Sequence, residues 1–236
     1  MTSWLILVSI CAISCVAVGA ASWFSTPLRL RRIITINMMM VVSFGTLLGD
    51  FGGYVTNYGT AWYATVVGTQ IVLLDRYGRL AAAETIPACY MAVTLALLCT
   101  FPLTFAPVLP GNDAGAAVIV LAQHRPQVLI AAYAALGPAI AVVDLVYAKL
   151  RPRSRWLAVV AAAVMSQVVD SVIFFPLAFG DLGTDFVVTA AVSGLIVKIP
   201  MTLAIAAAGL MAARVALHVT QLRDSTAPPT SASTGR

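Results

Sequence analysis

A carboxylate and an ammonium group interrupt two long apolar runs near the end of the chain. Asp170 stands within SQVVDSVIFFPLAF (166–179), and Lys198 interrupts the apolar run that follows. A charged group inside a membrane helix costs ~3 kcal/mol or more, so it is normally paired or faces a cavity or a neighbouring helix. The two residues therefore indicate a buried ion pair between two helices or a carboxylate that binds a polar solute, and the two roles are compatible.

Other side chains on the helix of Asp170 could line a pocket with it. Gln167, Asp170 and Phe174 are spaced i, i+3 and i+7, which places them on one helix face. Ser171 flanks that face, and Pro176 should bend the helix because it removes a backbone hydrogen bond. An amide, a carboxylate and an aromatic ring beside a bend are typical of a binding pocket. The alternatives are that Gln167 only joins helices by a hydrogen bond and that the aromatic rings only pack.

The composition indicates which elements position these residues. Of 236 residues, 61% are hydrophobic and 10% are charged, with a mean hydropathy of +0.95. Soluble domains carry roughly 25% charged residues, so we expect an all-α polytopic membrane helix bundle. The net charge of +5 comes mainly from basic residues in short loops, which set membrane orientation and do not indicate a nucleic-acid partner.

Apolar runs predict seven transmembrane helices, since about 20 residues cross a bilayer. The first, 4–24, has tryptophan near each end and no basic segment before it, so we favour a retained helix over a signal peptide. The others are predicted at 33–48, 60–74, 85–105, 128–148, 156–179 and 186–213. We expect 114–122, which is apolar but short, in a connection or at the interface, and GDFGGYVTNYG (49–59) as a loop.

Basic residues alternate between successive loops. Loops 27–32, 75–79 and 149–155 and the C-terminal tail are basic, whereas 49–59 and 180–185 contain no lysine or arginine and the long loop 106–127 has only Arg125. The positive-inside rule therefore predicts a multi-pass protein of the cytoplasmic membrane, with its N-terminus outside and its C-terminus in the cytoplasm.

Three regions divide the chain. Residues 1–32 form an additional N-terminal helix with its basic loop, and residues 33–214 form the helical core. Residues 215–236 form a tail that ends in a polar, Pro-, Ser- and Thr-rich segment, and we expect this tail to be disordered.

Sequence motifs of enzymes are lacking. No HExxH, GxSxG or Walker A pattern occurs, and neither His124 nor His218 has metal-binding residues nearby. We therefore expect no enzymatic activity, no metal site and no cofactor, and we interpret the four cysteines as small buried hydrophobic residues. Asp144 lies about one turn from Lys149 and Arg151, and snorkelling toward these cations explains its position.

The motif S-Q-x-x-D-x-x-x-F-F-x-x-A-F (166–179), followed by Lys198, resembles the C-terminal signature of the vitamin uptake transporter (VUT) family. YGRLAAAE (77–84) is similar to the FG/YG segment of that family, and the resemblance extends over residues 35–212. It implies a six-helix transporter core, to which the helix at 4–24 is an addition. The family pattern has Thr-Asp shortly before its YG, where this chain has Gln70 and Ile71.

Characterised members of that family carry queuosine precursors, so the resemblance implies import of a 7-deazapurine such as preQ0, preQ1 or queuine. The guanine-like edge of these bases presents a ring N–H and an amino group beside a carbonyl. A carboxylate can accept from both donors, an amide or lysine can meet the carbonyl, and an aromatic ring can stack on the base. The substrate-binding residues expected on this basis are Gln167, Asp170, Ser171, Phe174, Phe175, Lys198, Asn37 and Gln70.

The lack of a nucleotide-binding motif predicts facilitated or ion-coupled transport by alternating access, with Pro176 and Pro200 as flexing points. Two alternatives are a substrate-binding membrane component energised by a separate ATPase module and a non-transporting membrane scaffold. The expected partners are the small deazapurine and the lipid bilayer, without direct contact to nucleic acid. A homodimer and an external energising module are both left open.

Overall fold

The computed structural model describes residues 2–23, 26–44, 48–50, 55–57, 59–100 and 113–226. Within these residues the chain forms seven α-helices: α1 (Thr2–Trp23), α2 (Pro27–Phe44), α3 (Gly59–Ala83), α4 (Thr85–Thr100), α5 (Asp113–Leu150), α6 (Arg155–Phe179) and α7 (Thr184–Thr226). The predicted helical class is confirmed. A short hairpin of β1 (Leu48–Asp50) and β2 (Val55–Asn57), with Leu48 opposite Asn57, occupies part of the predicted loop at 49–59.

Four of the described helices are long and apolar enough to cross a membrane. These segments correspond to the first, fifth, sixth and seventh predicted spans and lie at Leu5–Trp23, Pro126–Leu150, Arg155–Leu182 and Thr184–Leu222. α4 contains a shorter apolar segment, Thr85–Ala96. α2 and α3 form helices where the sequence predicts them, but their residues are less apolar.

The central helix of the bundle is α3. It contacts all the other described helices, and every residue from Gly59 to Leu74 except Trp62 is buried. Because this segment faces protein and not lipid, it can carry polar side chains that are satisfied internally. Thr65, for example, donates a hydrogen bond of 2.9 Å to Ser14 of α1. The modest hydropathy of the third predicted span therefore follows from its position inside the bundle.

A break in α3 lies at Gly78, whose φ of 81° and ψ of −179° are not helical. Glycine adopts a positive φ at little cost because it lacks a Cβ. Beyond the break the chain folds back onto Gln70, whose Nε2 donates to the carbonyl oxygen of Ala82 at 3.1 Å. The Gln70 Oε1 accepts a hydrogen bond of 2.8 Å from Thr85. These two hydrogen bonds of Gln70 thus stabilise the turn between α3 and α4.

Two helices are longer than the sequence predicts. Residues 114–122, which we expected in a connection, belong to the single helix Asp113–Leu150, which continues through Pro126 and Pro138. Membrane helices tolerate proline because neighbouring groups satisfy the freed carbonyl. α7 likewise continues to Thr226, so residues 215–226 of the expected disordered tail are helical. Residues 227–236 of that tail lie outside the described residues.

The basic loops meet at one end of the bundle. The carboxylate of Asp75 accepts hydrogen bonds from Arg155, with Nε at 3.0 Å and Nη2 at 2.5 Å, and from the hydroxyl of Tyr147. Arg31 forms an ion pair with Glu84 at the turn between α3 and α4. These contacts connect the basic loops 27–32, 75–79 and 149–155, which the distribution of lysine and arginine predicts on the same side of the membrane.

Small residues allow α1, α3 and α7 to approach closely. A Cβ added at Gly209 of α7 would lie 2.6 Å from Val72 Cγ2 of α3 and 2.9 Å from Val18 Cγ1 of α1. A Cβ at Gly68 of α3 would lie 3.0 Å from Ile205 Cγ2 of α7. Helices in lipid associate largely through such close packing, because lipid chains are as apolar as the helices themselves.

We expect Gly209→Ala to lower the free energy of unfolding by about 1–3 kcal/mol, because the added methyl group forces rigid valine side chains apart. Thermal unfolding of the purified protein in detergent measures this change. Gly180→Ala is the matched control, since Gly180 has helical dihedral angles and a Cβ there meets no atom within 4 Å. Equal melting temperatures for the two variants would contradict the close packing described here.

Candidate functional site

A buried ion pair joins α6 to α7. Lys198 Nζ lies 2.6 Å from Asp170 Oδ2 and 3.4 Å from Ser171 Oγ. The side chains of Lys198 and Asp170 are only 3% and 7% exposed. Removing two charges from water costs several kcal/mol for each, and only close contact with further polar partners offsets this cost. The ion pair considered in the sequence analysis is therefore present, and its partners are difficult to separate.

The local sequence sets the register of the two helices. α6 begins after Ser154, whose Oγ accepts a hydrogen bond from the backbone N–H of Leu157 and so caps the helix. Between α6 and α7 the chain reverses through a short 3-10 turn and Gly183, whose φ is 93°. The two helices therefore run antiparallel, which places Asp170 opposite Lys198.

Two aromatic rings flank the Lys198 ammonium. Its Nζ lies 5.2 Å from the ring centre of Phe175 and 5.5 Å from that of Tyr63. Such cation–π contacts contribute about 0.5–2 kcal/mol each when the cation is desolvated. The aromatic rings thus hold the ammonium in addition to the carboxylate.

Tyr63 is a site residue that sequence reasoning missed. It lies on the central helix, its side chain is buried, and its hydroxyl lies close to the Asp170 carboxylate but has no hydrogen-bond partner among the described residues. A buried tyrosine hydroxyl usually finds a partner, so this group can bind a polar atom of a ligand. The only sequence signal was an aromatic residue within the polar third span, and nothing there indicated that it faces Lys198.

A narrow cavity adjoins the ion pair between the helices. The cavity has a volume of about 20 Å³. This is enough for about one ordered water but not for a purine-sized ring. An acid, an ammonium and a phenol converge on mostly apolar walls, as in small-molecule binding sites. The wall residues include Met38, Tyr63, Leu129, Asp170, Phe174 and Lys198.

Five of the residues expected to bind substrate lie in or beside this cavity. Asp170, Phe174 and Lys198 line its wall. Ser171 and Phe175 contact the Lys198 ammonium. The spacing argument from the sequence therefore placed Asp170, Ser171 and Phe174 near one another, and helix packing adds Lys198 and Phe175.

The other three expected residues do not line the cavity. Gln167 Nε2 donates to Thr202 Oγ1 at 2.8 Å and links α6 to α7, which is the hydrogen-bonding role considered as an alternative. Asn37 Nδ2 donates to the carbonyl oxygen of Ile33 on its own helix at 2.8 Å. Gln70 fastens the turn between α3 and α4. The amide nitrogens of all three side chains thus have partners within the fold, whereas Asn37 Oδ1 and Gln167 Oε1 have none among the described residues.

The chain is thus a multi-pass membrane helix bundle with a buried ion pair beside an internal cavity. Residues 57–213 match a family model described as "Putative vitamin uptake transporter". The chain belongs to the vitamin uptake transporter family, and the resemblance seen in its sequence is confirmed at that level. Membership implies a transport role and not an enzymatic one. The match begins at the end of β2, so α1 and α2 precede it.

Neither the curated proteins nor the solved structures include a match to this chain. The family assignment therefore rests on the match to residues 57–213, and the site geometry is the main guide to the solute.

Removing only the positive charge of the buried pair should be strongly destabilising. We expect Lys198→Met to lower the free energy of unfolding by about 3–5 kcal/mol, because Asp170 is left buried without a cation. The double variant Lys198→Met/Asp170→Asn should recover much of the loss, since neither charge is then present. Thermal unfolding in detergent measures both variants. A melting temperature of Lys198→Met equal to that of the parent would contradict the role of the pair. A double variant that melts at the same temperature as Lys198→Met would also contradict it.

Proposed function

We propose that the protein imports a queuosine precursor, a 7-deazapurine such as preQ0, preQ1 or queuine, across the cytoplasmic membrane. The observation that supports this most directly is the buried carboxylate of Asp170 at the cavity wall of a vitamin uptake transporter. The guanine-like edge of a deazapurine carries two adjacent donors, and a carboxylate can accept both in a charge-assisted pair. The site is thus suited to a planar base with a donor-rich edge.

Substrate binding would rearrange the buried ion pair. When the base engages Asp170, Lys198 remains close to the rings of Phe175 and Tyr63 and can donate to the substrate carbonyl. Phe174 at the cavity wall offers a face for stacking, worth about 1–3 kcal/mol per base. The cavity must widen for this to happen, because its present space does not hold a purine-sized ring.

Alternating access would provide this widening. The cavity lies among the first residues of α3, Gly59 and Thr60, and the late residues of α6 such as Phe174. At the opposite end of the bundle, Asp75 of α3 forms an ion pair with Arg155 of α6. We propose that the Asp75 contacts separate when the cavity end closes, with the prolines of α6 and α7 as flexing points.

The membrane topology that accompanies this proposal has seven spans, an outside N-terminus and a cytoplasmic C-terminus. The positive-inside rule supports this topology. It assigns the basic loops to the cytoplasm, and the ion pairs of Asp75 and Arg31 connect these loops at one end of the bundle. The cavity would then lie toward the outside, where the solute is captured.

Uptake of radiolabelled preQ1 into cells that lack their own importer tests the function. The parent protein should raise uptake above that of empty vector. Asp170→Asn should reduce it by about tenfold or more, because hydrogen bonds to a charged group contribute about 1.5–3 kcal/mol. Asp181→Asn is the matched control, since Asp181 is an exposed carboxylate in the 3-10 turn and its loss should leave uptake unchanged.

Immunoblots of membrane fractions should first show equal amounts of each variant. Uptake by the parent no better than that of empty vector would contradict the import proposal and favour a scaffold. Full uptake by Asp170→Asn would contradict the role of this carboxylate. Uptake by proteoliposomes that contain only this protein and no ATP would exclude dependence on a separate ATPase module.

A further inference from the structure

A second carboxylate, Asp144, lies within the membrane span of α5 and outside the cavity. It is 8% exposed, and its Oδ1 has no hydrogen-bond partner in the described part of the chain. No described lysine or arginine forms an ion pair with it. Of the two cations toward which snorkelling was expected, Arg151 lies against Asp75, with its Nε 3.8 Å from Asp75 Oδ1, and Lys149 is exposed and forms no ion pair with Asp144. Among the described residues, Asp144 is thus a buried acid without an ion-pair partner.

Three neighbouring arginines contact other groups. On the elements that pack against this half of α5, Arg155 pairs with Asp75, Arg31 pairs with Glu84, and Arg76 lies over the ring of Tyr77. Arg79 of α3 is the cation whose field reaches Asp144, but it is exposed and does not pair with it. The further titratable groups are the buried thiol of Cys89 on α4 and, on α5 itself, Tyr147, Lys149 and Arg151.

The polar surroundings of Asp144 favour a proton over a metal cation. Gln70 is a polar side chain close to Asp144. Its oxygen accepts from Thr85, and its amino group donates to Ala82 and keeps a second N–H that can donate to the carboxylate. Hard metal cations require several oxygen ligands, and the described residues contain no cluster of three or more histidine, cysteine or acidic side chains suited to a metal. A proton needs one carboxylate oxygen and removes the charge that is costly at this depth.

We propose that Asp144 is a proton-binding site whose occupancy is coupled to substrate uptake. Binding forms an O–H bond at the carboxylate and leaves a neutral acid within the bundle. Release returns the proton to water when the end of the bundle that contains Asp75 opens. The coupling to uptake rests on the proposed transport function, whereas the binding of a proton does not.

The helix α5 can link this proton site to the cavity. Leu129 lines the cavity, and Asp144 lies roughly 22 Å further along the same helix, at 1.5 Å per residue. Pro138 stands between them, at a point where the helix lacks one backbone hydrogen bond and can bend. A movement of α5 that exposes Asp144 therefore also changes the cavity wall.

Infrared difference spectra of the purified protein in liposomes, recorded between acidic and alkaline buffer, test the proton site without any substrate. The parent should show a band of a protonated carboxylic acid in an apolar environment. Asp144→Asn should lose this band, whereas Asp181→Asn should retain it. Asp144→Glu should restore it at a shifted frequency, which keeps the test decisive if the asparagine variant does not fold. A band that survives in Asp144→Asn would overturn the assignment.

Uptake of labelled preQ1 by the same liposomes tests the coupling. An inwardly directed proton gradient should stimulate uptake by the parent, and this stimulation should be lost in Asp144→Asn and retained in Asp181→Asn. Stimulation by a sodium gradient and not by a proton gradient would overturn proton coupling, as would full stimulation of Asp144→Asn. If the parent takes up no preQ1 under any gradient, the import proposal fails, and the infrared band alone decides whether Asp144 binds a proton.

Discussion

Opposite charges buried in an apolar helix bundle must lie in contact with each other. In this protein the Asp170–Lys198 pair therefore fixes how α6 and α7 pack. The desolvation cost of each group forces the two helices into one register, and Ser171 and the flanking rings complete the surroundings of the ammonium. The rings of Tyr63 and Phe175 contact the ammonium as well, so its position depends on α3 in addition to α6. One contact therefore both stabilises the bundle and keeps a carboxylate at the cavity wall.

The position of α3 inside the bundle is the second constraint. A helix enclosed by the others does not meet lipid, so it can use threonine, glutamine and glycine where a lipid-facing helix needs large apolar residues. Gly68 allows close approach to α7, and Gln70 holds the turn at Gly78. The same enclosure brings Tyr63 to the ammonium of Lys198. The central helix thus supplies both packing and part of the site.

Local properties of the sequence were sufficient for the class of fold and for the centre of the site. Hydropathy alone identifies the spans within α1, α5, α6 and α7, because a helix that crosses lipid needs about 20 mostly apolar residues. The high cost of a charge at that depth marks Asp170 and Lys198. Helical spacing then places Phe174 beside Asp170, and the structure brings both to the cavity.

Other features were decided only by tertiary packing. Helical spacing shows which side chains share a face but not which helix covers that face, so Gln167 turned out to contact Thr202 and Tyr63 could not be recognised. Packing also decides which charges pair. Arg151 is closer in sequence to Asp144 than to Asp75, but its side chain lies against Asp75. The sequence by itself indicated a membrane transporter with a carboxylate and an ammonium group inside its spans. Only the assembled bundle decided their neighbours, because contacts between helices depend on which faces meet in space and not on spacing within one helix.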